Sequence, residues 1–173
     1  MDTETEIYRD LQRHLDNSPV SFPATNSGSE IRLLKRFFTP EEAKVAMQIS
    51  TFKPEPLKRI YQHVKQSGIS MSIEELKKTL DRMVYKGTLL ACYQGYKEKH
   101  YKNAGFTAGG IIDLQVNRMT KEMVDDFHAY MTEQFARVEA GADIGISQLR
   151  TIPVEKSIPL PEKFKVSTYD SVR

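Results

Sequence analysis

The side chains best suited to chemistry are few and lie far apart in the sequence. Cys92 is the single cysteine, whereas a thiolate nucleophile or metal ligand needs a base or further ligands beside it. We therefore interpret Cys92 as a small apolar core residue. The histidines lack HxxxH or CxxC spacing, which argues against a metal site. They are His14, His63, His100 and His128.

Other arrangements that could support catalysis have simpler explanations. Asp125 and Asp126 stand close to His128, but neighbouring residues of a helix point in different directions, which favours a solvated face. Gly109-Gly110 lacks the strand and helix that flank a phosphate-binding loop. Nothing in the sequence resembles a Ser-His-Asp or Cys-His arrangement. We therefore expect no catalytic residue, cofactor or metal in this chain, and predict that it is not an enzyme.

The net charge of +2 is unevenly distributed. Residues 53–103 hold 11 lysines and arginines against 5 acidic residues, while each flank is net negative. A basic centre is informative about partners rather than about the fold. Because the sequence shows no secretory signal and no apolar run of membrane length, we expect a cytoplasmic protein without membrane contacts.

The first part of the chain predicts three helices. Apolar residues recur every four positions over residues 4–16, as on one face of a helix. A loop at 18–29 follows, and Ser29 is placed to cap a second, short helix. Thr39 begins a third helix, with proline in its first turn and Glu42 in position for a capping box.

The central part predicts two more helices and then a hairpin. Residues 54–56 read as the start of one helix, and Ser72 with Glu75 forms a capping box for the next, over 73–86. The apolar residues of that second helix share one face, and they are Ile73, Leu76, Leu80, Met83 and Val84. After Gly87 the pattern becomes that of two short strands over 88–103. Three helices followed by a hairpin indicate a winged helix.

The last part predicts a long helix and a tail. Thr120 caps a helix that runs to about Ala140. Its wide apolar stripe must be covered by the first helix, by the winged-helix body or by a second copy of the chain. We favour a homodimer, with contacts from Val124, Phe127, Met131 and Phe135. Residues 141–173 are proline-containing and read as an extended tail or linker.

The predicted fold class is therefore mostly α within α+β, a winged helix-turn-helix with flanking helices and an extended C-terminal tail. Four segments follow from this interpretation. Residues 1–38 form N-terminal helices and a loop, 39–104 the winged-helix domain, 105–140 the C-terminal helices, and 141–173 the tail or linker.

The outer face of helix 73–86 and the wing carry the candidate partner contacts. The helix offers Lys77, Lys78, Thr79, Arg82 and Lys86, and the wing offers Lys97, Lys99, His100 and Lys102. Lysines suit contacts to phosphate, which give affinity without sequence choice. Acidic residues at the first turn, Glu74 and Glu75, repel phosphate where base edges are usually read. A docking surface for protein is therefore favoured over weak, non-specific DNA binding.

Several short strings are similar to one protein family. They are DLQRHLD at 10–16, PV at 19–20, FPAT at 22–25, EIRLLK at 30–35, FTPEEA at 38–43, RTIPVEKSI at 150–158 and YDSVR at 169–173. The chain resembles, over nearly its whole length, the N-terminal half of a family of bacterial and archaeal ferredoxin-type iron–sulfur proteins. In that family a winged-helix-like region precedes a domain with two cubane clusters.

The resemblance implies a role in electron transfer, with a ferredoxin-type domain or a redox protein as partner. A cubane cluster takes four thiolates and this chain has one, so we expect clusters only in a C-terminal domain that this sequence lacks. The expected function is a non-catalytic interaction module. The alternative is a DNA-binding winged-helix transcriptional regulator.

Overall fold

The computed structural model describes residues 3–135 apart from 19, 94, 96, 107 and 108. The described chain is mostly helical with one small antiparallel sheet. This agrees with the predicted α+β class. None of the described helices combines the length and apolar character that crossing a membrane demands.

The three predicted N-terminal helices are present. They are α1 (Thr3–Asp16), α2 (Ser29–Phe37) and α3 (Pro40–Ala46). The capping box of α3 forms as predicted, with Thr39 and Glu42 exchanging side-chain to backbone hydrogen bonds. The predicted cap of α2 is wrong, because Gly28 takes that position with φ 67° and Ser29 is the first helical residue.

The central elements follow the order strand, helix, helix, hairpin. They are β1 (Glu55–Pro56), α4 (Leu57–Gln66), α5 (Ile73–Lys86), β2 (Leu89–Cys92) and β3 (His100–Asn103). Both β1 and β2 pair antiparallel with β3, which gives the sheet order β1-β3-β2. The predicted hairpin is confirmed.

The prediction that residues 54–56 begin a helix is wrong. Glu55 and Pro56 instead pair with Tyr101 and His100 of β3, and α4 begins at Leu57. Proline is tolerated here because β1 is an edge strand, where a missing N–H need not break a ladder bond.

The faces of α5 are largely as predicted. Leu76, Leu80 and Met83 are fully buried, since their spacing of three and four places them on one side of the helix. Thr79, predicted on the outer face, is only 6% exposed. That prediction is wrong because Thr79 is three residues after Leu76 and four before Met83, and so lies on the same buried face of α5.

The C-terminal part begins with a 3₁₀ helix, Asp113–Arg118, and continues as α6 (Lys121–Tyr130). Thr120 caps α6, accepting a hydrogen bond from the N–H of Met123 at 3.3 Å. The chain then makes a π-helical turn over Met131–Phe135, so the predicted α-helix changes to π geometry after Tyr130. The last part of that prediction, 136–140, lies outside the described residues. The predicted tail, 141–173, lies outside the described residues.

The apolar stripe of α6 is covered within the chain. The ring of Tyr130 is fully buried, 5.0 Å from the Phe22 centroid and 5.2 Å from that of Phe106. Phe127 and Met131 pack against the same core, and Val124 is exposed. The neighbouring helix is α2, whose two arginines bind Asp126 of α6. Cover by α2 was not among the three possibilities expected from the sequence. The side chain of Phe135 lies outside the described part of the chain.

One hydrophobic core runs through the first three predicted segments. Asn103 of β3 is a buried link, because its amide donates to the carbonyls of Ala46 and Ile49 at 2.9 and 2.8 Å. His14 of α1 contacts the same Ile49 carbonyl at 2.9 Å. The hairpin, α3 and α1 are therefore held together by polar contacts as well as by packing. The division into segments stays a prediction.

The two faces of α5 should respond differently to alanine. Leu76→Ala is expected to lower the free energy of unfolding by about 2–5 kcal/mol, because it leaves a cavity in the core. Lys77→Ala, on the exposed side, is expected to cost well under about 1 kcal/mol. Urea melts of both variants give the comparison, and equal losses contradict the assignment of faces.

Dimerisation through α6 stays a prediction, since covering the stripe within the chain does not fix the number of chains in solution. Light scattering on the wild type and on Val124→Glu tests it. We chose Val124 because its side chain is exposed, so a charge there should leave the core intact. A dimer that becomes monomeric in the variant is the expected result, and a monomeric wild type contradicts it.

Candidate interaction surface

The start of α5 is held by a reciprocal cap that uses one of its two carboxylates. Ser72 Oγ accepts from the N–H of Glu75 at 3.2 Å, and Glu75 Oε2 accepts from the N–H of Ser72 at 2.8 Å. The bond from the Ser72 N–H, together with the Ser72 hydroxyl, holds the pKa of the Glu75 carboxyl below its usual value. The exposed Glu74 stands beside it. A ligand that approaches this end of α5 therefore meets negative charge.

Two of the predicted contact cations, Arg82 and Lys86, bind a carboxylate of α3. Arg82 Nε lies 3.0 Å from Oε1 of Glu42, and Lys86 Nζ lies 2.5 Å from Oε2. Glu42 is 1% exposed and also accepts from the N–H of Thr39 at 3.0 Å. Arg82 and Lys86 are therefore partly neutralised by Glu42, and these ion pairs hold α5 against α3.

Burial and hydrogen bonding have opposite effects on the pKa of Glu42. Burial raises the pKa of its carboxyl, but hydrogen bonds from Lys86, from the Thr39 N–H and from Arg82 together outweigh it, so the pKa lies below the usual glutamate value. The carboxylate is thus ionised at neutral pH although it is buried.

The wing is tied to α5 by a second ion pair. Lys99 Nζ binds Asp81 of α5, and the hydroxyl of Tyr101 donates to the same carboxylate at 3.0 Å. Burial and the bond to Asp81 raise the pKa of Tyr101, so this hydroxyl keeps its proton. His100 is buried, with Nδ1 2.9 Å from the carbonyl of Glu98. Lys99 and His100 therefore help to place the hairpin.

The other predicted contact residues differ in exposure. Lys77, Lys78 and Lys97 are exposed, and no ion pair with a carboxylate is seen for them among the described residues. Lys102 is half-buried and lines a cavity of about 180 Å³ with Asn103. The structure thus brings the predicted residues onto α5 and the hairpin, but it uses several of them for internal contacts.

Sequence reasoning missed an apolar group at the far end of α5. Tyr85 is 79% exposed, and it stands beside the 3₁₀ helix, which carries exposed Leu114 and Val116. A signal for Tyr85 is present in the sequence, because Lys78, Arg82 and Tyr85 follow the i, i+4, i+7 spacing of one helix face. Leu114 and Val116 carry no such signal, since residues 111–116 read only as a short apolar segment.

The described residues do not fit an iron–sulfur cluster. Cys92, the single cysteine of the sequence, lies half-buried in β2, whereas a cubane cluster takes four thiolates. Within the described part of the chain, no three or more His, Cys, Asp and Glu side chains are grouped as ligands for a metal ion. No electron-transfer step can therefore be assigned to these residues.

The contribution of Glu42 can be measured through pH. Because its pKa is lowered in the folded chain, it stabilises the fold fully above the usual glutamate pKa of about 4.3 and loses that effect as pH falls through the lower folded value. Glu42→Gln is expected to cost about 2–3 kcal/mol at neutral pH, since Arg82 and Lys86 lose a charged partner.

The measurement is the free energy of unfolding of wild type and Glu42→Gln between neutral pH and pH about 2.5. The difference between the two should shrink as pH falls. Glu74→Gln, which alters an exposed carboxylate of α5, is the control and should leave the profile nearly unchanged. A difference that stays constant with pH contradicts the assignment.

Comparison with known proteins gives no family for this chain. It matches no protein-family model, no curated protein and no solved structure. The resemblance to iron–sulfur proteins therefore stays a hypothesis, and the function has to be argued from the surface just described.

Proposed function

We propose that this chain is a non-catalytic winged-helix interaction module, the N-terminal part of an iron–sulfur electron-transfer protein, which docks the ferredoxin-type half or another redox partner. The order α3, β1, α4, α5, β2, β3 supports the winged helix, as does the pairing of β1 and β2 with opposite edges of β3. The strand β1, which the sequence did not reveal, adds weight because it joins the helices to the hairpin.

The state of the charges on α5 carries the choice of a protein partner. Helix-turn-helix proteins that bind the major groove contact base edges with the first residues of their second helix, which corresponds to α5 here. Here that position holds Glu74 and Glu75. Arg82, Lys86 and Lys99 are bound to carboxylates within the chain. The module therefore has less free positive charge for DNA than its sequence indicates.

The alternative is a DNA-binding regulator. The basic centre of the sequence and the exposed Lys77, Lys78 and Lys97 favour it. Lysines of this kind displace counterions from DNA without reading bases. Binding through them is expected to be weak, non-specific and sensitive to salt.

Titration separates the two functions. The labelled chain is titrated with a purified ferredoxin that carries two cubane clusters and, separately, with a random-sequence DNA duplex over a range of salt. We expect the ferredoxin to bind at physiological salt and the duplex to bind only at low salt. A tight, sequence-selective DNA footprint that survives physiological salt overturns the docking function.

Charge variants show which residues take part. Lys77→Ala with Lys78→Ala is expected to flatten the dependence of log K on log salt for the duplex by about two, one unit for each lost phosphate contact. The matched control is Arg13→Ala with Lys121→Ala, which removes two exposed cations on α1 and α6. A control with the same effect as the α5 variant contradicts the proposed surface.

A further inference from the structure

An exposed apolar patch lies where the end of α5 meets the 3₁₀ helix. We call it the Tyr85 patch, and it consists of Tyr85, Leu114, Val116, Arg118 and Met119. Its apolar members are all among the exposed large hydrophobic residues. Because Arg118 and Leu114 of the 3₁₀ helix approach Tyr85 and Gly87 of α5, these exposed apolar side chains lie near one another, as is common at binding sites.

The 3₁₀ helix is fixed to the end of α5 by hydrogen bonds. Gln115 Nε2 donates to the carbonyl of Lys86 at 2.7 Å, and Arg118 donates to that of Tyr85 at 3.3 Å. Because residues three apart eclipse each other in a 3₁₀ helix, Gln115 and Arg118 face α5 together. Leu114 and Val116 then stand on either side of that contact.

Gly87 permits this close approach. Its φ is +81°, and a Cβ at this position would lie 2.7 Å from Cβ of Leu114. A side chain there would push the 3₁₀ helix away from α5. The position of the 3₁₀ helix beside α5 therefore depends on the backbone at Gly87.

The charges around the patch are mostly positive. The Arg118 guanidinium lies 5.1 Å from the centroid of the Tyr85 ring, and Arg82 and Lys86 lie in the same turn of α5 as Tyr85. Their shared partner Glu42 is buried, so one carboxylate faces two cations. The exposed acid of the 3₁₀ helix, Asp113, accepts from the N–H of Gly109.

We propose that the Tyr85 patch binds a partner protein whose surface presents an apolar anchor ringed by carboxylates. The inference rests on the proposed function as a docking module and names its contact surface and the chemistry of its partner. Tyrosine and arginine are the residues that most often dominate binding energy at protein interfaces. Carboxylates on the partner complement Arg118 and the one positive charge that Glu42 leaves unbalanced between Arg82 and Lys86.

Two other occupants fit the surface less well. A nucleic acid gains nothing from Leu114, Val116 and Met119, which offer no contact to phosphate. A second copy of the chain in a two-fold contact would set the same cations against each other.

The probe is a short fluorescent amphipathic peptide with leucine and phenylalanine on one face and glutamate around it. One matched peptide has lysine in place of glutamate, and another has serine in place of the apolar residues. We expect the acidic amphipathic peptide to bind with measurable affinity by anisotropy and the two matched peptides to bind much more weakly. Failure of the acidic peptide to bind, or equal binding of the lysine peptide, overturns the proposal.

Variants locate the contact. Tyr85→Ala is expected to weaken peptide binding by about tenfold or more, whereas Tyr85→Phe should retain most of it. Phe52→Ala removes an exposed ring away from the patch and should leave binding unchanged. Leu114→Ser is a second test at the patch, and circular dichroism melts confirm that each variant is folded. The proposal is overturned if Tyr85→Ala and Leu114→Ser both bind the peptide as tightly as the wild type does. It is also overturned if a DNA duplex displaces the peptide.

Parallel titration with the two-cluster ferredoxin separates this inference from the proposed function. If the peptide binds at the patch but the ferredoxin does not bind, the proposal of a redox partner is contradicted and the proposal of the Tyr85 patch stands. A ferredoxin that binds equally to wild type and to Tyr85→Ala keeps the docking function and overturns the patch.

Discussion

The arrangement of α5 depends on one buried carboxylate. Glu42 closes the capping box of α3 and binds both Arg82 and Lys86 of α5. A buried charge is costly unless it is paired and hydrogen-bonded, and Glu42 has a backbone donor and two cations. The same side chain thus begins one helix and orients the next. Arg82 and Lys86 lie within one turn of Tyr85, so this contact helps to orient the end of α5 that carries the ring.

The interaction also changes what the charge of the sequence means. The basic excess over residues 53–103 counts Arg82 and Lys86 as if a partner could use the full charge of both. In the folded chain, Arg82 and Lys86 share one carboxylate, that of Glu42 on α3, which lies outside that range of the sequence. The net charge of a sequence segment is therefore a poor measure of its affinity for phosphate when carboxylates from another segment pair with its cations.

Local signals explain which elements could be predicted. Capping boxes at Thr39 and Ser72 and the change of period at Gly87 lie within a few residues of what they specify, so α3, α5 and the hairpin follow from the sequence. The strand β1 does not, because its two residues become a strand only by pairing with β3 far along the chain. The cover of α6 is hidden for the same reason, since the ring contacts of Tyr130 and the ion pairs of Asp126 with α2 join distant segments.

The candidate site was predictable in its elements but not in its chemistry. The sequence places cations on α5, but neither the pairing of Glu42 with Arg82 nor the docking of Arg118 on Tyr85 leaves a local pattern. The two ends of α5 differ in charge, and these contacts fix the surroundings of its last turn. Its first turn presents Glu74 and Glu75, and its last turn presents an aromatic ring among cations. A partner that complements both ends can lie along α5 in one direction only, because reversing it opposes like charges at each end.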